Sequence, residues 1–147
     1  MREQKPPDRF PRQPGTAGAW RSFRHGLTEA LTTLADEEYL VVGAKRGNRY
    51  VQFAGQGAFG VLAEAVSNAY LDGKEQLSAE DCARLHALGW GEPSSPSANY
   101  SIDVAAPVPC GQLSALAVTT LRDVYGITHP SFLEYKSFRR RGGSIRW

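Results

Sequence analysis

Apolar positions along the chain change period several times, and each change predicts an element. Trp20, Phe23, Leu27, Ala30, Leu31 and Leu34 recur at helical spacing, which predicts a first helix from Ala19 to just before Asp36–Glu38. Gly26 and Thr28 weaken that helix by propensity, so packing must stabilise it. Tyr39–Ala44 and Tyr50–Ala54 read as β-strands joined by the polar turn Lys45–Arg49, and Phe59–Val66 reads as a third. Gly55, Gly57 and Gly60 join the second and third strands, as a tight connection in an antiparallel meander requires. Ser67–Leu71 reads either as more strand or as a turn, and Asp72–Leu77 as a loop. Ser78 is the N-cap of a short helix, with Asp81 placed to return a hydrogen bond, Cys82, Leu85 and Leu88 on its apolar face, and Gly89 at its end. Trp90 follows, positioned to fold back on that helix. Residues 91–98 form a loop, Asn99–Val104 alternates as a half-buried strand, and Leu113–Val124 is a long helix that stops at Gly126. His129-Pro130 breaks the helix, and Phe132–Phe138 alternates as a closing strand. The expected class is α+β, an antiparallel sheet of a three-stranded meander plus later strands, packed with three helices.

Composition changes this picture only at the ends. At 147 residues, with 41% hydrophobic and 22% charged positions, the chain fits one domain. Residues 1–18 hold four prolines and one large apolar side chain, Phe10, and read as a disordered arm. Residues 19–138 form the expected domain and Arg139–Trp147 a basic tail. The net charge of +2 conceals an acidic body: residues 1–24 carry +4 and residues 136–147 carry +5, leaving −7 between them. Basic ends suit an anionic partner such as nucleic acid, or simply keep an acidic body soluble; they lack the interleaved aromatic residues that stack bases. No apolar run is long enough to span a bilayer and no signal peptide is visible, so the expected compartment is the cytosol.

The residues that could carry chemistry are scattered. GQGAFG at 55–60 matches the string of a dinucleotide loop, but no acidic residue ends a following strand about 20 residues on, and a P-loop would need Lys and Ser or Thr after its last glycine. His25, His86 and His129 lie in contexts that suggest no triad, and Cys82 and Cys110 have no metal-ligand spacing. Asp36-Glu37-Glu38 is the sole acid run. The reading is of no enzyme, no cofactor and no metal. The three cations of Lys45–Arg49 are either a solvated hairpin tip or an anion site.

In the order of these elements the chain resembles the TY-Chap domain family, the bacterial group that links type III secretion chaperones with YbjN-like proteins. The residues that carry the resemblance are RYVQF at Arg49–Phe53, AEAVSNAYL at Ala63–Leu71, LGW at Leu88–Trp90 with Pro93, the Asn99-Tyr100 pair, and the helix Leu113–Val124. The resemblance implies a non-catalytic module that binds a client protein or peptide, and relatives that often work as homodimers. Tyr50, Trp90 and Tyr100 are the candidate partner-binding residues, on condition that they are partly exposed and flanked by an apolar patch. The alternative partners are nucleic acid or an acidic protein on the basic ends, or a small ligand in a pocket near Gly55–Gly60.

Overall fold

The computed structural model describes residues 15–141 and 144–145. Helix α1 spans Gly15–Thr32, and strands β1 Glu38–Ala44, β2 Tyr50–Gly55 and β3 Val61–Ala65 follow it. Helix α2 is Ala79–Ala87, β4 Tyr100–Val104, α3 Cys110–Thr119, β5 Leu133–Arg141 and β6 Ser144–Ile145. The strands are antiparallel throughout, in the order β4-β3-β2-β1-β5-β6. The expected α+β fold is therefore the observed one, with the meander β1-β2-β3 extended by β4 on one side and β5 on the other.

Alternation along the strands sorts the sheet into two faces. Leu40, Val42, Val51, Phe53, Ala63, Ala65 and Tyr100 share the buried face, on which α1 and α3 pack against each other. Thr28 of α1 and Ser114 of α3 meet there, hydroxyl to hydroxyl, at 2.5 Å. Tyr39, Val41, Gln52 and Glu64 lie on the opposite, half-buried face, where Tyr39 stacks on Phe138 with ring centroids 5.0 Å apart.

Local chemistry accounts for the helix ends. The Asp81 amide donates to the Ser78 hydroxyl at 3.0 Å and the Ser78 amide to the Asp81 carboxylate at 3.3 Å, the reciprocal cap that starts α2. Gly89 at φ 105° ends it, and the Trp90 amide returns to the Leu85 carbonyl at 3.1 Å, so Trp90 does fold back on α2. α3 continues through a π turn at Thr120–Val124, because the Thr120 hydroxyl donates to the Leu116 carbonyl at 2.8 Å while the Tyr125 amide reaches back five residues to Thr120.

Several boundaries differ from those expected. Gly15–Gly18 belong to α1 and not to an arm, since the burial of Trp20, whose indole N–H approaches the Thr128 carbonyl at 3.4 Å, anchors that first turn. Residues 1–14 lie outside the described residues. The third strand is shorter, with Gly57–Phe59 forming a 3-10 turn before it. Ser67–Leu71 resolves as a 3-10 turn at Asn68–Tyr70, capped by the Ser67 hydroxyl. The last strand runs to Arg141, so Arg139–Arg141 are sheet residues and not a free tail. Their partners come from β1 and the residue before it: Arg139 pairs with Glu38 at 2.8 Å, and the Arg140 amide donates to the Glu37 carbonyl at 3.0 Å.

Glu38 also accepts from the Ala35 amide at 2.7 Å, and this bond, opposed by partial burial and aided by Arg139, holds its carboxyl below the ordinary glutamate range. A depressed folded-state pKa means stability that is fully present above the ordinary value and is lost as pH falls through the lowered one. Glu38→Gln is expected to flatten that part of the acid limb, seen as a smaller difference in urea midpoint between pH 6 and pH 3 than in the wild type.

Candidate functional site

Among the described residues, helix α1 leaves the β5 flank of the buried face partly uncovered. The opening is a cleft of about 170 Å³ walled by Phe23, Gly26, Leu27 and Ala30 of α1 against Leu40 and Val42 of β1 and Tyr135 of β5. Its position follows from the sequence: the helical stripe that buries Leu27 and Leu31 carries Phe23 and Ala30 half-exposed on its edge. Phe23 lies tilted to Tyr135 at 6.2 Å, so two aromatic rings rim the opening, and Phe23 is backed by the buried Trp20, edge-on at 5.8 Å. Tyr135 is 65% exposed although Leu133 and Val42, beside it on the same face, are core.

Gly26 makes the space. A Cβ built on it meets nothing within 4 Å, so no close approach of backbone requires a glycine there. Mid-helix glycine costs roughly 0.5–1 kcal/mol relative to alanine. What the missing side chain leaves is a gap in the cleft wall. A volume of about 170 Å³ is close to that of an engineered cavity that takes one benzene, and below the roughly 300–1,000 Å³ of a small-molecule site. The cleft therefore suits one apolar side chain of a larger partner.

The candidate residues named from sequence lie elsewhere and do not converge. Trp90 is 2% exposed, with its indole N–H donating to Thr120 at 3.0 Å, and Tyr100 is 5% exposed on the helix face of β4. Burial takes both out of a partner's reach, because an aromatic ring here contributes more by filling the core between α2, α3 and the sheet than by facing water. Tyr50 is half-buried on the other face, accepts from the Asn99 amide at 3.1 Å, and lines a mixed polar hollow with Gln52, Glu134 and Lys136. The apolar cleft flanks none of the three. Burial raises the phenol pKa of Tyr50, Tyr100 and Tyr125 alike, so all three stay neutral hydrogen-bonding groups. Sequence reasoning missed Tyr135; the signal was a large aromatic at a core-face position of the closing strand.

The turn cations also have internal roles. The Arg49 guanidinium donates to the carbonyls of Glu75 at 2.7 Å and Tyr125 at 2.9 Å, tying the loop before α2 to the end of the α3 segment. The Asn48 amide donates to the Glu75 carboxylate at 2.6 Å, so the anion at this turn is the chain's own. Residues 55–60 join two antiparallel strands and open no α-helix, and the clefts described here are lined by other residues.

His25, His86 and His129 lie apart, next to Glu29, Glu92 and Ser131 respectively. Among the described residues no three His, Cys, Asp or Glu side chains form a metal-binding group, and no helix is long and apolar enough to cross a membrane. No curated protein and no solved structure matches the chain. Residues 13–139 match the family described as T3SS (YopN, CesT) and YbjN peptide-binding chaperone 3, which covers α1 and the five long strands in full but for the last two residues of β5. The family is one of chaperone-type binding domains, and the chain belongs to it: it is a TY-Chap3 peptide-binding chaperone domain.

Proposed function

We propose that this domain is a non-catalytic adaptor that holds an extended segment of a client protein, seating one apolar client side chain in the cleft between α1 and β5. The observation that carries the reading is Gly26, a destabilising residue in mid-helix whose missing side chain opens an aromatic-rimmed gap of about one side chain's volume. Full burial of a Leu or Phe side chain contributes about 1.5–3 kcal/mol, about a tenfold gain in affinity or more.

Two substitutions at Gly26 separate fold from function. Gly26→Ala is expected to stabilise the domain by about 0.5–1 kcal/mol in urea unfolding, because the helix gains propensity and the Cβ meets nothing. Gly26→Phe fills the cleft with the chain's own ring and is expected to lower client retention about tenfold while leaving the unfolding midpoint within a small margin of wild type. The measurement is a nuclease-treated pull-down from the native host with tagged wild type and both variants, quantified by mass spectrometry at two salt concentrations. Proteins held by wild type and Gly26→Ala at both salts, and lost with Gly26→Phe, support the cleft. Equal retention by Gly26→Phe refutes it, and retention that vanishes with salt or nuclease moves the function to the basic ends.

A further inference from the structure

We propose that the furrow between α1 and α3, on the solvent side of the helix layer, binds an acidic stretch of a partner polypeptide through Arg21 and Arg24. The proposal rests on the client-binding reading only in taking the partner to be a peptide; it uses neither the cleft nor Gly26.

α1 and α3 pack side by side, and two hollows of about 510 and 290 Å³ lie along their outer seam. Both are walled by Arg21, Arg24 and Ala115, so they form one furrow that follows α1 from Ala17 to Thr28, about 16 Å of helix axis. His25 stands at one end of it and Arg122 at the other. Those two side chains already face an acid: Arg122 lies 2.8 Å from the Asp123 carboxylate and His25 3.5 Å from that of Glu29. Arg21 and Arg24 differ, being exposed and without an ion-pair partner among the described residues. They stand at i and i+3 of one helix, so their side chains share a face about 5–6 Å apart. A helix fixes their backbone in advance, and a ligand has less to order when it arrives.

Charge and width select the occupant. An extended polypeptide places alternate side chains on one side about 6.6 Å apart, close to the separation of the two arginines, and about five residues of it span the furrow. Carboxylates two residues apart therefore reach both guanidinium groups, each of which can hold a carboxylate by two hydrogen bonds. Nucleic acid fits less well. Residues 25–135 carry −7, so a polyanion wider than the furrow meets repulsion on the body around it. The ring that lines the furrow, Trp20, is 3% exposed and offers no free face to a base. Residues 1–14, which lead into α1, hold Arg2, Lys5, Arg9 and Arg12 against Glu3 and Asp8, the wrong sign for the ligand.

The test is fluorescence anisotropy of the full chain with a labelled peptide of alternating aspartate and serine, beside the same peptide with asparagine in place of aspartate. Wild type is expected to bind the aspartate peptide with a dissociation constant on the order of tens of micromolar in about 50 mM salt, and to release it as salt screens the charges. Arg21→Glu and Arg24→Glu are each expected to weaken binding about tenfold, and Arg24→Gln by less. Both positions are exposed, so the urea midpoints are expected to stay at that of wild type. Gly26→Phe fills the cleft and is expected to bind this peptide as wild type does, so failure of the cleft and failure of the furrow are read separately. A wild type that ignores the peptide, equal binding of the asparagine peptide, or charge-reversed variants that bind as wild type does, which puts the peptide on the basic ends, overturns the proposal. So does oligothymidylate held more tightly than the peptide and released by the same substitutions, which gives the furrow to nucleic acid.

Discussion

Trp90→Ala is expected to lower the unfolding free energy by about 3–5 kcal/mol, the range for removing a large aromatic side chain from a packed core. Trp90 is 2% exposed among Leu85, Leu121 and Thr120, each fully buried. Its indole N–H also donates to the Thr120 hydroxyl at 3.0 Å, and that hydroxyl donates in turn to the Leu116 carbonyl at 2.8 Å. Alanine removes the ring volume and one member of a buried polar chain. Thr120→Val isolates the second effect, because it keeps the volume and leaves the indole N–H unpartnered, at a cost of about 1–3 kcal/mol. A domain of ordinary stability, about 5–15 kcal/mol, has little left after Trp90→Ala. Urea unfolding followed by far-ultraviolet circular dichroism reads both variants. A Trp90→Ala variant that loses client retention with an unchanged midpoint would instead make Trp90 a surface anchor.

What the sequence conveyed and what it concealed divide along the range of the interactions. The cap of α2 is readable because Ser78 and Asp81 lie three residues apart and Gly89 closes the same helix. The meander is readable because alternation and turn residues are local. Arg139–Arg141 read as a tail because three successive arginines have no apolar alternation, while the groups that hold two of them in the sheet, Glu38 and the Glu37 carbonyl, lie some 100 residues earlier. The same holds for Arg49, whose acceptors Glu75 and Tyr125 are 26 and 76 residues away. The cleft depends on how far α1 sits from β5, which no periodicity encodes. Gly26 did stand out as a propensity defect in α1, and that defect was the one legible trace of the site.

Gly60→Ala is expected to destabilise the domain by about 3–5 kcal/mol, from two sources that add at one position. Gly60 has φ 107° and ψ −136°, a backbone conformation that L side chains rarely adopt. A Cβ there would also come within 1.9 Å of the Val104 carbonyl and 2.9 Å of the Ala106 amide nitrogen. Both are backbone atoms, so no side-chain rotation relieves the contact. Either the β2–β3 connection gives up its bond from the Gln56 amide to the Gly60 carbonyl at 2.8 Å, or the end of β4 draws away from β3. Gly73→Ala is the control, since Gly73 has φ 55° but nothing within 4 Å of a built Cβ, and is expected to cost about 1 kcal/mol for the left-handed backbone alone. Unfolding midpoints of the pair, with hydrogen exchange on Tyr100–Val104, separate strain from close approach: selective loss of protection in β4 for Gly60→Ala locates the clash at Val104. Equal midpoints for the two variants would show that the approach to Val104 carries no weight. The glycines of 55–60 would then need another account, because in this fold Gly55 sits against the Ala35 carbonyl as Gly60 sits against that of Val104. Those contacts make the run a sheet-packing device, and a dinucleotide loop needs the same missing side chains facing a pyrophosphate.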